Sequence, residues 1–159
     1  MDNSLKVGLS FGLTSAVITT LGLMVGLNAG THSKLVVIGG IITIAIADAF
    51  SDALGIHISE ESQGKPGKQI WASTFSTWAA KFVFAMTFVV PVFLFELQTA
   101  IYVSIAWGFL LLAVYSYHLA KQENIAPYKV IGEHLAIAVV VIIITNFVGE
   151  WIGANLIQV

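Results

Sequence analysis

Cysteine is absent from the 159 residues. That excludes a disulfide framework and a thiolate metal site, and it leaves the redox compartment unread. Charge is scarce as well. Only 10% of the residues are charged, against about 25% in an ordinary soluble domain. The net charge of −2 carries no basic excess, so no nucleic-acid partner is expected. A secretory signal pattern is missing: Met1-Asp2 opens on an acid, and the apolar run behind it is long enough to cross a bilayer. There is no paired-histidine metal motif and no nucleophile elbow, so the chain is not expected to be an enzyme.

What fills the chain is apolar. Hydrophobic residues make up 57%, and the mean hydropathy is +0.89. About 20 such residues suffice to cross a bilayer. The expected fold is all-α: one transmembrane domain over residues 1–159, an integral bundle of five transmembrane helices whose partner is lipid. The spans fall roughly at 5–27, 35–58, 71–95, 99–119 and 130–157. Lys6, Lys65, Lys68, Lys121 and Lys129 then share one side, with Lys34 alone opposite. The positive-inside rule gives a cytoplasmic N-terminus and an outside C-terminus, in the cell membrane.

The first span holds no Asp, Glu, Lys or His between Lys6 and His32, but it is rich in hydroxyls: Ser10, Thr14, Ser15, Thr19 and Thr20. Gly22, Gly26 and Gly30 recur every fourth position, as do Gly8 and Gly12. Small residues so spaced let two membrane helices approach closely, and they offer a pairing surface for a homodimer. Pro91 should kink the third span near its far end. Trp71 and Trp78 read as an interfacial pair. Ser104, Gly108, Tyr115 and His118 share a stripe expected to face other helices.

The most informative stretch is Ile41 to Ser62, IITIAIADAFSDALGIHISEES. At about 100° per residue, Asp48 and Asp52 stand one turn apart on one face, in line with Ile41, Ala45, Gly55, Ser59 and Ser62. One Asp at the centre of a membrane helix costs roughly 2.5–3.5 kcal/mol, and two cost roughly 5–7 if independent. Each large apolar residue returns only about 0.3–0.6 kcal/mol. Such a helix needs neighbours that solvate or pair its acids. Intramembrane acids mark functional sites by default. The competing reading is a structural ion pair with Lys81, which either reaches Asp48 or Asp52 or snorkels toward its loop. Glu150, one turn from Asn146, is a further candidate for ion pairing or proton coupling. His57 pairs by spacing with Glu61.

Two carboxylates beside hydroxyls suit a hard cation. Oxygen ligands take Mg, Ca or Mn, and Fe(II) or Zn with some imidazole or sulfur. Asp48 and Asp52 are the expected core ligands or proton carriers. Ser15 and Thr19 are assisting oxygens, and Glu60 and Glu61 form a cytoplasmic mouth that concentrates cations. Met24 is a conceivable sulfur ligand, although a membrane Met is more often core. No resident cofactor is expected: metal ions and protons would be substrates.

Several of these segments resemble the vacuolar iron transporter family, five-helix divalent-metal transporters. Ser15 to Gly30, SAVITTLGLMVGLNAG, resembles its first-helix signature. Ala49 to Ser59, AFSDALGIHIS, resembles its second-helix signature. Pro91, Gly132-Glu133 and the run Asn146 to Gly149 are similar to weaker features of its third and fifth helices. The resemblance implies a dimer that moves Fe(II) or Mn(II) out of the cytosol against protons. There are departures. Ser15 stands where the family has a pore Asp, and Asp52 where it has Met. Ile56 and His57 replace a Glu and an aromatic. The acid-rich cytoplasmic segment between helices two and three is reduced to a short linker. The acid has thus moved from one pore helix to the other, or the line has kept the fold without transport.

Overall fold

Each helix runs as far as its backbone can be satisfied internally and stops where turn chemistry takes over. The computed structural model describes residues 3–156. Helix α1 spans Asn3–Thr31. It ends at His32, in the left-handed region at φ 50°, whose N–H returns to Asn28 O at 3.0 Å. Ser33 then caps α2, Lys34–Ser62, its hydroxyl accepting from the Val36 N–H. Gly64, at φ 67°, supplies the turn after α2, a conformation that costs glycine little. Helix α3 covers Gly67–Thr87, α4 Val89–Leu94, α5 Leu97–Gln122 and α6 Pro127–Asn155, with proline in the first turn of α6, where a missing N–H does no harm.

Five stretches are long and apolar enough to cross a membrane, with α3 and α4 forming one of them, Gly67–Leu94. Helix α2 overruns its expected span, because Ser59 to Ser62 continue its backbone ladder beyond its apolar part. The expected end of the last span, Ile157, lies outside the described residues. The break between α3 and α4 is the one Pro91 predicts: proline has no N–H for the carbonyl four residues back, that of Thr87. The Thr87 hydroxyl donates to Phe84 O and accepts from Trp107 Nε1 at the break.

Successive spans alternate in direction. Gly8 lies against Ser73 and Gly12 against Thr77 and Lys81, so α1 and α3 run parallel. Gly22, Gly26 and Gly30 meet Val141, Thr145 and Gly149 in turn, so α6 is parallel to α1 as well. Helix α5 is antiparallel: Gly108 packs on Leu21, and Tyr115 hydrogen-bonds Ser10. Helix α1 is therefore the hub. Half of its apolar window is buried against 11% for α6, whose outer face is open. The core gathers Val17, Leu21 and Met24 of α1 with Ile41, Phe88 and Leu112.

The glycine rows of α1 are used inside the chain. A Cβ on Gly12 would sit 2.6 Å from Thr77 O, and one on Gly153 of α6 would sit 2.9 Å from Gly30 O. The pairing surface expected on α1 is thus already occupied by α3 and α6. A second copy could meet only the uncovered faces, such as that of α2, where Gly39 and Gly55 have open space around them.

Candidate functional site

The α1–α3 contact sets up the site. Because Gly8 and Gly12 carry no side chains, the stripe Ser73, Thr77, Lys81 of α3 comes directly against α1. One and two turns beyond Gly12, Ser15 and Thr19 face the end of Lys81. The ammonium donates to Ser15 Oγ at 2.6 Å and to Thr19 Oγ1 at 3.0 Å. Helix α2 closes the other side: Lys81 Nζ lies 2.6 Å from Asp48 Oδ2 and 3.0 Å from Asp52 Oδ2. Ser15 also donates to Asp52 Oδ2 at 2.7 Å. Four oxygens from two helices thus surround one nitrogen from a third. Asp48 Oδ2 has no hydrogen bond of its own, so its ion contact with Lys81 is its whole compensation.

Burial divides the three charges. The Lys81 side chain has no exposed surface, whereas those of Asp52 and Asp48 keep 16% and 26%. Asp48 is open because it borders a groove of about 640 Å³ between α1 and α2, lined by Leu23, Leu27, Gly40, Thr43 and Ser51 among others. The acids are therefore paired but not sealed. Two carboxylates and one ammonium leave one negative charge unbalanced. In a low-dielectric interior that residue of charge is costly unless a cation, a proton or water reaches it. The groove, lined mostly by apolar side chains, is the side on which Asp48 is exposed.

The expected residues divide plainly. The structure brings Ser15, Thr19, Asp48, Asp52 and Lys81 together, with Lys81 reaching across rather than snorkelling. It does not add Glu60 and Glu61 as an open mouth. Glu60 is buried and bonded to Lys65 at 2.7 Å, roughly 12 Å of helix beyond Asp52; Glu61 alone is exposed. Gly55, Ser59 and Ser62 are exposed too, because the buried stripe of α2 continues instead through Ala49, Ala53 and Glu60. Glu150 stands on the exposed side of α6, accepting from Asn146 at 2.8 Å, away from the cage. Met24 is core, with no exposed surface.

His57 does not pair with Glu61. Its Nδ1 is 3.0 Å from Thr74 Oγ1, and its ring meets Trp71 edge-on in a second groove between α2 and α3. Trp78 stacks on Phe82 along the side of α3 rather than at a helix end. Of the α5 stripe, Ser104, Gly108 and Tyr115 turn inward and His118 is exposed; the inward histidine contact is His134 with Ser116, 2.7 Å apart. The residues overlooked in the sequence are Thr43 and Ser51, which flank Asp48 along the groove. With Ala47 they recur at every fourth position, the spacing that would have revealed a second small, polar face. Among the described residues no group of three or more His, Asp and Glu side chains gathers to hold a metal. No family model matches the chain, and no curated protein matches it.

Proposed function

We propose that the chain is a multi-pass transporter of a divalent cation, Fe(II) or Mn(II), and a short, divergent relative of the vacuolar iron transporter family. On this reading it sits in the cell membrane with its N-terminus in the cytoplasm and its C-terminus outside. It works as a homodimer and moves metal out of the cytosol with protons in exchange. The observation that carries the reading is the excess acid at the cage, opening through Asp48 onto the α1–α2 groove. A purely structural network gains nothing from a second carboxylate in a membrane, whereas a cation pathway uses one as a ligand or proton carrier. The family resemblance supports the choice of metal and direction. The dimer reading rests on the uncovered face of α2, where Thr43, Ala47 and Ser51 are small or polar and exposed beside Asp48.

A second reading is favoured by one observation: Lys81 is fully buried and already has four oxygen partners. It makes the chain a non-transporting membrane protein in which Asp48, Asp52 and Lys81 are a structural network. Reconstitution into liposomes separates the two. The transporter reading expects Mn(II) uptake that falls at least about tenfold in Asp48→Asn and Asp52→Asn, each still monodisperse in detergent, a change of about 1.4 kcal/mol in effective barrier. No uptake by the unsubstituted chain, under any imposed proton gradient, rejects it.

A further inference from the structure

We propose that the Lys81 ammonium is a tethered occupant of the cation position, and that a free divalent cation enters the cage only by displacing it. The inference rests on the transport reading, and it names what regulates that same site. Its basis is coordination. An ammonium held by two carboxylate oxygens and two hydroxyl oxygens, at 2.6–3.0 Å, has the oxygen partners a hard cation would take. The two cations cannot share them. Ser15 Oγ and both Asp Oδ2 atoms already lie within contact of Nζ, and no surface of Lys81 is exposed. A second positive charge at the same point would also be repelled by the first.

The lysine answers a problem that an empty cage would pose. Without it, two carboxylates would face a membrane interior with no positive partner. With it, the resting site carries a single excess negative charge, which faces the groove at Asp48 rather than the dry side of α3. The asymmetry gives displacement a direction. A cation passing between cage and groove meets Asp48, which has the most exposed side chain of the three charges and a contact to Lys81 but no hydrogen bond. Asp52 is held more firmly, by Ser15 as well as by Lys81. Exchange with the groove therefore runs through Asp48, and in the proposed orientation, where the groove lies toward the outer end of α2, that is the side of release. The lysine thereby weakens metal binding in favour of release.

The test is Mn(II) binding to the purified full-length chain in detergent, read as loss of the free-ion electron paramagnetic resonance signal. The unsubstituted chain should bind weakly, and Lys81→Met at least about tenfold more tightly. Lys81→Met/Asp52→Asn, which restores the original net charge without an ammonium, should lose that gain. Lys81→Met that is monodisperse yet binds no more tightly than the unsubstituted chain overturns the proposal. Should Lys81→Met fail to fold, Lys81→Gln, which keeps a donor toward Ser15 and Thr19, takes its place under the same readings. Failure of both even with Mn(II) in the growth medium also overturns it, since the lysine would then be indispensable rather than exchangeable. Liposome uptake by the unsubstituted chain is read separately. Uptake without tightening in Lys81→Met removes the tethered occupant and leaves transport standing. Tightening without uptake supports the displaceable lysine and removes transport.

Discussion

Lys81 faces two acids with one positive charge, so the members of the cage are not interchangeable. Removing the lysine leaves two half-buried acids without their cation; breaking a fully buried pair costs about 3–5 kcal/mol, and the exposure of the acids keeps the loss toward the lower end. Removing one acid leaves a neutral pair. Asp48 has no hydrogen bond to lose and is the more exposed of the two, so Asp48→Asn should cost about 1 kcal/mol or less. Asp52→Asn falls between, because Ser15 donates to it. Thermal unfolding in detergent should therefore rank Lys81→Met far below Asp52→Asn, and Asp52→Asn below Asp48→Asn. Equal losses in all three would contradict an unbalanced cage.

At the level of the helices, the cage depends on how closely α1 and α3 approach, and that is set by residues without side chains. A Cβ at Gly12 would stand 2.6 Å from Thr77 O and 3.0 Å from Lys81 N, both backbone atoms that cannot swing away. Gly12→Leu should push the helices apart, cost at least about 1–3 kcal/mol as overpacking does, and draw Lys81 off Ser15 and Thr19. Gly55 has nothing within 4 Å. In the interior of α2, Gly55→Ala should leave stability unchanged or raise it by up to about 1 kcal/mol. Melting temperatures of the two variants, compared in one detergent, decide between glycine as a spacer and glycine as filler. Pro91 acts at the same scale: it ends α3 at Thr87, so Lys81 belongs to a separate segment from the one that carries Phe93 and Leu94.

For the whole molecule, orientation is the property most open to direct test, because the chain has no cysteine to confuse labelling. Gln63→Cys and Gln122→Cys sit at the end expected to be cytoplasmic, and Glu96→Cys at the other, beside the Lys34 contact to Phe95 O. A membrane-impermeant thiol reagent applied to intact cells should label Glu96→Cys alone. The opposite pattern would invert the topology and turn the groove, which runs from Asp48 toward the Lys34 end of α2, to the cytoplasmic half. Hydropathy made the bundle and its five stretches long enough to cross a membrane legible, and it marked Asp48, Asp52 and Lys81 as residues lipid could not accept. The same reasoning misplaced Glu60, His57 and His118. Their partners, or exposure, depend on neighbouring helices and on the turn after α2, not on their own helix period.

Taken alone, the sequence determined the helices and the residues that cannot face lipid. Both follow from properties summed along a single segment: backbone groups satisfied within it, and the transfer cost of its own side chains. Only the tertiary structure decided that the glycines of α1 serve α3 and α6, and that one lysine holds both acids beside an open groove. Those outcomes depend on how each helix is rotated about its axis and how near its neighbours come. That is settled by the packing of all the helices at once.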